Sequence, residues 1–365
     1  MKHIALLIPG LDRIGGAERQ AMQLATGLRR RGWRVHVVVL SGTGGEAATQ
    51  LAEAGVDFLS LAMRKGWTDP RGWLRLNRWL RRERPDVLHA HLAHATWMAR
   101  WSRLAAPVPV LVDTLHSTCT GSLGRRIGYR VSNRLTGKVT AVSAAVAAAH
   151  RDAGMASNIA VIPNSIDPHT FRPDALVRKA MRAEMHVGED FLWLAAGRLE
   201  PVKDYPTLLA AMARLPAASR LVIAGTGQDE ANLRGLRDRL GLGERVHFAG
   251  FAADIARWMQ AADAFVLSSL WEGLPVAVLE AGACALPTVA TGVPGTREAI
   301  LDGETGWLTP SSDPWALAAR MQQMMDATPG FRNAMGERAR RHVLECFSLE
   351  LALDRWEQLY ADLLL

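Results

Sequence analysis

Short apolar runs alternate with longer amphipathic segments along most of the chain. In the N-terminal half, seven runs rich in β-branched residues have the length of strands: 4–8, 35–40, 56–59, 87–89, 108–112, 139–142 and 159–162. Segments of helical length lie between them, among them 17–31, 71–82 and 143–151. Nearly continuous apolar strands separated by helices predict a parallel sheet with helices covering both faces.

This alternation stops at residues 163–173, a connection that contains Pro163, Pro168 and Pro173, and then resumes. Further strands are predicted at 192–196, 221–224, 246–248, 264–267 and 288–290, and terminal helices at 315–326, 331–345 and 349–363. The pattern predicts two doubly wound α/β domains, 1–165 and 166–365, facing each other across a cleft. We expect the last helix to be able to pack back on the N-terminal domain. Ligands of such sheets bind beyond the carboxyl ends of the strands.

Composition narrows the class of protein. A length of 365 residues fits two domains, and 49% hydrophobic with 22% charged residues excludes a disordered chain. No apolar run approaches the roughly 20 residues of a membrane span, and the apolar stretch near the start is too short for a signal peptide. The cysteines, Cys119, Cys284 and Cys346, are too far apart for a disulfide framework or a structural zinc site. We therefore expect a cytoplasmic protein.

The charge is distributed unevenly between the two halves. Residues 1–165 contain 23 Lys and Arg against 10 Asp and Glu, a net charge of +13, whereas residues 166–365 contain 20 against 26, a net charge of −6. The basic half is therefore expected to face something anionic, with nucleic acid, an acidic membrane surface and a phosphorylated substrate as the candidates.

The densest chemical signal is the segment 271–280, WEGLPVAVLE, which follows the predicted strand 264–267. Pro275 suits the first turn of a helix, because its missing N–H costs nothing there. Glu272 then lies before the helix and Glu280 inside it, and both can point toward a cleft. The free N–H groups of the helix start suit phosphate or sugar oxygens. As an alternative, either carboxylate could serve the helix dipole alone.

Two more loops follow predicted strands directly. In GRLEPVKD, residues 197–204, Arg198 can bind two phosphate oxygens at once and Lys203 adds a point charge. In GLDRIGGAE, residues 10–18, Gly15 and Gly16 allow the backbone to approach a phosphate closely. The second loop lacks the GxGxxG pattern and its acidic partner, which argues against an NAD-dependent oxidoreductase.

Taken in order, GGAE, PNSID, GRLEPVKD, AGTG, HFAGF and EGLPVAVLEAGACALPTVATGVPGTREAI resemble the motifs of retaining GT-B glycosyltransferases of family 4. The resemblance covers essentially the whole chain and is strongest over residues 160–310. It implies two Rossmann-like domains, a nucleotide-diphosphate sugar bound mainly by the C-terminal one, and transfer with retention at the anomeric carbon. It also implies that no metal is needed, in agreement with the absence of an Asp-x-Asp motif.

The resemblance also assigns roles to residues. Arg198 and Lys203 are expected to grip the donor diphosphate, and Glu280 to accept hydrogen bonds from the ribose. Glu272 and the N–H groups of residues 273–276 are expected to hold the donor sugar. The expected donor-binding residues are Gly15, Gly16, Arg198, Lys203, Gly250, Phe251, Glu272, Gly273, Leu274, Pro275, Val276 and Glu280. Those expected to take part in catalysis are His116, Arg198, Lys203 and Glu272.

Histidines occur at the ends of two predicted N-terminal strands. His116 matches a histidine that lines the cleft of that family, where it would orient a sugar hydroxyl; a backbone-bonded, partly buried histidine is the alternative. His89 and His91 could contact the acceptor or simply pack. Together with His94 they could suggest a metal cluster, but no acidic residue completes a ligand set, and we expect no metal site.

The basic half carries arginine-rich segments with helical spacing. Arg71, Arg75, Arg78 and Arg82 form one stripe with tryptophans nearby, and Arg126, Arg130 and Arg134 form another. An arginine face beside tryptophans suits an interfacial helix on anionic lipid, while an ordinary amphipathic helix explains each segment equally well. The net charge of +13 favours the membrane, and the lack of a recognised module disfavours nucleic acid.

The resemblance, together with the basic N-terminal half, therefore implies a metal-independent hexosyl- or N-acetylhexosaminyltransferase, peripheral on the inner face of the cytoplasmic membrane. It would use a nucleotide-sugar donor, UDP-sugar before GDP-sugar, and extend a lipid-linked glycan in bacterial surface polysaccharide or lipopolysaccharide assembly. No cofactor is expected. Two alternatives remain open: a nucleotide-sugar epimerase or hydrolase of the same architecture, and a non-catalytic membrane-binding scaffold.

Overall fold

A computed structural model, which describes residues 2–64 and 69–365, divides the chain into two units. Unit 1 comprises Met1–Asn164 and Leu349–Leu365, and unit 2 comprises Ser165–Ser348. The division after Asn164 lies one residue from the boundary that the sequence predicts. The terminal helix belongs to unit 1, because it packs against the first helix of that unit.

Unit 1 is built on a seven-stranded parallel sheet. The strand order is β3-β2-β1-β4-β5-β6-β7, so the direction of winding reverses between β1 and β4. The strands are β1 His3–Ile8, β2 Arg34–Val39, β3 Asp57–Ser60, β4 Val87–His91, β5 Val110–Leu115, β6 Lys138–Ala141 and β7 Ile159–Val161. Residues of β1, β4 and β5 are buried throughout, as expected for strands covered on both faces.

Helices cover both faces of this sheet. They are α1 Gly16–Arg30, α2 Gly45–Glu53, α3 Pro70–Glu83, α4 Ala93–Ser102, α5 Leu123–Ser132, α6 Ala144–Asp152 and the terminal helix α15 Leu349–Leu364. One core joins α1, α2 and α15 to the side chains of Ile4, Leu6 and Ile8. A second core joins α3 and α4 to Ala5 and Leu7, which point to the opposite face. The period of two along β1 therefore separates the two helical layers.

Unit 2 repeats the plan with a six-stranded parallel sheet in the order β10-β9-β8-β11-β12-β13. Its strands are β8 Phe191–Ala196, β9 Ser219–Ala224, β10 Val246–Gly250, β11 Ala264–Leu267, β12 Thr288–Thr291 and β13 Gly306–Thr309. Its helices are α7 Ala175–Glu184, α8 Tyr205–Met212, α9 Glu230–Arg239, α10 Ile255–Ala261, α11 Val276–Ala283, α12 Pro294–Ala299, α13 Pro314–Asp326 and α14 Pro329–Phe347. The winding reverses between β8 and β11.

The structure corrects two details of the sequence prediction and agrees with one of its alternatives for α3. The strand β13 was missed, because Gly306–Thr309 is short, begins with glycine and contains no apolar run. The helix α11 begins at Val276 with Pro275 as its N-cap residue, so Pro275 precedes the first turn. On α3, Leu76, Trp79 and Leu80 are buried in the core, so its apolar side faces the sheet as in an ordinary amphipathic helix.

None of the helices within residues 2–64 and 69–365 is both long enough and apolar enough to cross a bilayer.

Candidate functional site

The reversal of winding in unit 2 brings the two chemically richest loops together. The segment 197–204 leaves the carboxyl end of β8, and the segment 268–275 leaves that of β11; β8 and β11 are neighbouring parallel strands. The backbone N–H of Leu270 donates to the carbonyl oxygen of Val202 at 2.8 Å, and the Ser268 hydroxyl donates to that of Lys203 at 2.7 Å. Both loops therefore lie at the edge where doubly wound sheets bind ligands.

An ion pair joins these two loops. Nζ of Lys203 lies 2.6 Å from Oε1 of Glu272, and the side chains are 18% and 12% exposed. The Ser269 hydroxyl donates to the same carboxylate oxygen at 2.6 Å, and Thr291 donates to the carbonyl oxygen of Ser269 at 2.6 Å. The lysine predicted to bind phosphate and the glutamate predicted to bind sugar thus occupy one site. Ser269 and Thr291 were missed, although Ser268 and Ser269 directly follow a buried strand.

Arg198 lies in the same loop but in a different environment. Its side chain is 67% exposed, and its Nη1 donates to Oε1 of Glu200 at 2.9 Å. Arg198 directly follows Gly197, whose φ of 155° lies in a region that favours glycine. The Arg198 side chain is therefore largely in solvent, with Glu200 as its ion-pair partner.

Close glycine packing shapes this edge of the sheet. A Cβ atom on Gly225 would lie 1.9 Å from the carbonyl oxygen of Gly197, and one on Gly227 would lie 2.2 Å from that of Leu199. The N–H of Gly225 donates to the carbonyl oxygen of Gly250 at 2.7 Å, so the ends of β8, β9 and β10 lie side by side. Phe251, which follows Gly250, is 57% exposed. The two glycines of AGTG were not singled out as site residues, yet they permit this approach.

Glu280 lies inside α11, where its side chain is 5% exposed. Burial, together with the charge of Glu280, raises the pKa of the neighbouring Cys284 thiol to about 12. Burial also raises the pKa of Tyr205, with a smaller contribution from Glu272. The segment 273–276 before Glu280 is buried as well. It is packed tightly, because a Cβ on Gly295 would lie 2.3 Å from the carbonyl oxygen of Gly273.

The glycine loop of unit 1 lies at the corresponding edge of its own sheet. Gly15 is the N-cap residue of α1, and its N–H donates to Oε2 of Glu18 at 3.0 Å. Asp12 anchors the loop by accepting from the N–H groups of Thr43 and Gly44 at 3.1 and 2.8 Å. The start of α1 thus already carries a carboxylate, its own Glu18, at one of the N–H groups that an anion would bind.

A buried hydrogen-bond chain fixes the tautomer of His89. The Thr140 hydroxyl donates to the carbonyl oxygen of Asp113 at 3.1 Å, so in its 2.7 Å contact with Thr114 it accepts. The Thr114 hydroxyl therefore donates its one proton to the Thr140 oxygen. Its own oxygen must then accept from Nε2 of His89, which lies 2.6 Å away. Nδ1 of His89 then accepts from the Tyr360 hydroxyl at 2.7 Å. His89 therefore packs in the core and links β4 to α15.

His91, which is buried, contacts the partly buried His116 beside it. Nδ1 of His91 lies 3.1 Å from Nε2 of His116, and the His89 and His91 rings are 4.1 Å apart. Nε2 of His91 is buried and has no hydrogen-bond partner among the described residues. Burial lowers the pKa of His89 to about 3 and that of His116 to about 4, and it lowers the pKa of His91 as well. At neutral pH all three rings are uncharged.

These histidines predict a loss of stability in mild acid. Their pKa values in the native state lie below the value of about 6.5 expected in the unfolded chain, so the unfolded state binds more protons as the pH falls below 6.5. Between pH 7.5 and 5, His89 and His116 should each lower the free energy of unfolding by about 2 kcal/mol, and His91 should act in the same direction. Urea unfolding at a series of pH values measures this slope.

Two substitutions separate this cause from general acid effects. His91→Asn removes one of the buried groups and should reduce the dependence of the unfolding free energy on pH, whatever its effect at pH 7.5. His169→Asn removes an exposed histidine and should leave the dependence as it is. Equal slopes for wild type and His91→Asn would contradict the explanation.

Within residues 2–64 and 69–365, no three His, Cys, Asp or Glu side chains are grouped as a metal ion would require. His89, His91 and His116 instead pair with hydroxyl groups and with one another.

Both units match known family models. Residues 14–170 match the model described as "Glycosyltransferase Family 4", and residues 177–342 match the one described as "Glycosyl transferases group 1". The lipopolysaccharide core biosynthesis glycosyltransferase LpsE of Rhizobium meliloti (strain 1021) is 30% identical over 353 residues, which cover 95% of this chain and 96% of LpsE.

Solved structures agree on the fold. Anabaena HepE in complex with UDP-glucose superimposes with a TM-score of 0.87 at 22% identity, covering 98% of this chain and 99% of HepE. WaaG, a glycosyltransferase involved in lipopolysaccharide biosynthesis, gives 0.77 at 18% identity, covering 98% of this chain and 99% of WaaG. The chain has two Rossmann-like units with seven and six parallel strands, it matches both family models, and it is similar to LpsE over almost its whole length. It therefore belongs to the family 4 glycosyltransferases and has the GT-B fold.

Proposed function

We propose that the protein transfers a sugar, with retention at the anomeric carbon, from a nucleotide-diphosphate sugar to a lipid-linked glycan in bacterial surface polysaccharide or lipopolysaccharide assembly. The observation that carries the proposal is the contact of Lys203 with Glu272 at the reversal of the unit 2 sheet. A cation for phosphate and an acceptor for hydroxyl groups are what a nucleotide sugar requires side by side. HepE, whose solved complexes contain UDP and UDP-glucose, supports a UDP-sugar.

Each site residue has a role in this proposal. Arg198 and Lys203 hold the diphosphate and offset the charge that develops on the departing nucleotide. Glu280 accepts from the ribose, and Glu272 with the N–H groups of residues 273–276 holds the donor sugar. Gly250 and Phe251 lie beside the base. From unit 1, Gly15 and Gly16 approach the phosphates and His116 orients a sugar hydroxyl.

The chemical step needs no strong protein base. Front-side attack lets an oxygen of the leaving phosphate accept the acceptor's proton, so the protein must stabilise that phosphate and exclude water. The lowered pKa of His116 fits this role, because a neutral imidazole orients a hydroxyl without adding a charge beside the sugar.

The acceptor side rests on relatives. LpsE is named a lipopolysaccharide core biosynthesis glycosyltransferase, and an Escherichia coli relative, 25% identical over 314 residues, is named a UDP-Gal:α-D-GlcNAc-diphosphoundecaprenol α-1,3-galactosyltransferase. The reaction proposed is of the hexosyl or N-acetylhexosaminyl type on a growing glycan, and the galactosyltransferase name supports the hexosyl type. A lipid-linked acceptor also explains the net charge of +13 in residues 1–165. That positive charge would hold the enzyme on the anionic inner face of the cytoplasmic membrane.

Thermal unfolding with UDP, GDP or ADP tests donor binding. A ligand of the native state raises the midpoint by mass action, and at about 100 times its Kd the gain is about 2.7 kcal/mol. We expect UDP to shift wild type by roughly 5–10 °C and to shift Glu280→Ala far less, in the presence of a chelator. Glu244→Ala removes an exposed glutamate of the same unit and should respond like wild type.

Two outcomes would contradict the proposal. If neither the nucleotides nor their intact sugars shift the midpoint, the donor site is wrong. If donor is consumed at the same rate with and without a glycan acceptor, the protein is a hydrolase or epimerase instead.

A further inference from the structure

An exposed apolar stripe runs along α5. Leu123, Ile127 and Val131 are 63%, 54% and 65% exposed and follow one another at intervals of four, so they form one line on the helix. Across the part of the chain that the structure describes, no other helix carries more than one large hydrophobic side chain exposed to this degree. Single exposed apolar residues are normal on protein surfaces, but a line of three on a ten-residue helix is not.

The packing of α5 fixes which side faces outward. Tyr129 and Ser132 are buried, and Arg100 of α4 donates to the Tyr129 carbonyl oxygen at 3.0 Å and to the Ser132 hydroxyl at 2.9 Å. A Cβ on Gly128 would lie 2.0 Å from the Trp97 ring, so α4 and α5 are flush at this glycine. Because the inner side is specified by these contacts, the stripe cannot rotate into the core.

A row of arginines lies next to the stripe. Arg126 and Arg130 each follow one of its apolar residues by three positions, which makes the two rows neighbours on the surface, and Arg134 continues the arginine row in the 3-10 turn that follows α5. Arg130 and Arg134 are exposed, and none of the three arginines forms an ion pair with a residue in the described ranges. Further apolar side chains are exposed on the same helical layer at Leu74, Trp101 and Leu104.

We propose that α5 is the surface by which unit 1 binds an anionic lipid bilayer, with Leu123, Ile127 and Val131 entering the acyl boundary and Arg126, Arg130 and Arg134 at the headgroup phosphates. Parallel apolar and arginine rows are the arrangement that an interfacial helix needs. The inference rests on the proposed function, which gives the enzyme a lipid-linked acceptor, and it assigns the membrane contact to α5. The helix α3 adds exposed arginines to the positive electrostatic field of unit 1, while its apolar side lies in the core.

Co-sedimentation with vesicles tests the surface. We expect wild type to bind vesicles of equal parts phosphatidylglycerol and phosphatidylcholine, and to bind pure phosphatidylcholine weakly. Ile127→Gln with Val131→Gln should lower the partition constant roughly tenfold, with little dependence on salt. Arg130→Gln with Arg134→Gln should lower it roughly thirtyfold at low salt, and the difference should fade at about 0.5 M salt.

Matched substitutions outside α5 act as controls. Leu176→Gln removes an 81% exposed leucine of α7 in unit 2, and Arg239→Gln an exposed arginine of α9; both should bind vesicles like wild type. An environment-sensitive fluorophore at Ile127→Cys, in a Cys119→Ser background, should shift to the blue with anionic vesicles, while the same label at Leu176→Cys should not. Equal thermal midpoints show that the variants fold.

The results separate this inference from the proposed function. Vesicle binding by the α5 variants equal to wild type, or no binding by wild type, would overturn the inference. If the wild type self-associates and the Gln variants do not, a second copy covers the stripe and the inference is also wrong. Transfer to a lipid-free acceptor should be the same in wild type and α5 variants, so failure of transfer alone counts against the proposed function.

Discussion

The Arg198→Ala variant should transfer sugar roughly 10²–10³-fold more slowly than wild type and should unfold at the same temperature. Its guanidinium is 67% exposed and contacts Glu200, so the fold of unit 2 does not depend on it. In the proposed site the same charge meets the diphosphate as negative charge develops on it, and a contact that strengthens during the reaction is expressed in kcat. Transfer kinetics and thermal unfolding measure the two effects separately.

Arg239→Ala serves as the control for this experiment. Arg239 is an exposed arginine at the end of α9, and a helix of a parallel sheet runs back to the edge opposite the strands' carboxyl ends. Lys203→Ala would be a less clear test, because removing Nζ also leaves the largely buried carboxylate of Glu272 without its cation. If Arg198→Ala transfers sugar at the wild-type rate, the loop 197–204 does not bind the donor phosphates as proposed.

The fold class was predictable because strands covered on both faces have a distinctive composition. β1 contains the uninterrupted apolar run 4–8, and an apolar run, 110–112, begins β5 before its buried Asp113 and Thr114. Strands of this kind that alternate with helices predict a parallel sheet covered on both faces. The fold is the one that the family resemblance implies. The strand β13 escaped prediction because an edge strand of four residues needs few apolar positions.

The site was predictable in its parts but not in its contacts. Loops that carry charged residues directly after a strand can be recognised in a sequence. The loops 197–204 and 268–275 both lie at the carboxyl ends of their strands, as expected for such loops. Lys203 contacts Glu272, 69 positions away, because β8 and β11 are neighbours in the sheet. The order of the strands in the sheet determines that neighbourhood. In the same way, nothing local indicates that His89 bonds Tyr360 across 271 positions.

The stripe on α5 shows a different limit of the sequence. The spacing of Arg126, Arg130 and Arg134 is visible in the sequence, but apolar residues at intervals of four are ordinarily the core-facing side of a helix. Here that side is open, because Gly128, Tyr129 and Ser132 face inward instead. Burial on one side of a helix is a property of the packed unit and not of the helix sequence.

The buried ion pair of unit 1 should be the most sensitive point of its fold. Arg100 and Asp113 are 1% and 0% exposed, with Nε and Nη2 of the arginine both 2.7 Å from Oδ2 of the aspartate. Arg100→Met leaves an uncompensated carboxylate in the core and should lower the free energy of unfolding by about 3–5 kcal/mol. The midpoint of thermal unfolding should fall by roughly 6–20 °C.

Arg103→Met provides a matched comparison on the neighbouring turn. Arg103 is partly exposed and donates to the carbonyl oxygens of Leu135 and Pro109 at 3.1 and 3.0 Å, without a buried carboxylate as its partner. Its loss should cost about 1 kcal/mol. A loss in Arg100→Met no larger than this would mean that the ion pair contributes nothing specific.

A double-mutant cycle then isolates the pair itself. Arg100→Met with Asp113→Leu removes both charges, so the double variant should be more stable than the sum of the single losses predicts, with a coupling of about 1–3 kcal/mol. Recovery should be incomplete, because Arg100 also holds Tyr129 and Ser132 of α5. Hydrogen exchange in α5 should therefore stay faster than in wild type even where overall stability returns. Additive losses in the cycle would show that the two charges act independently.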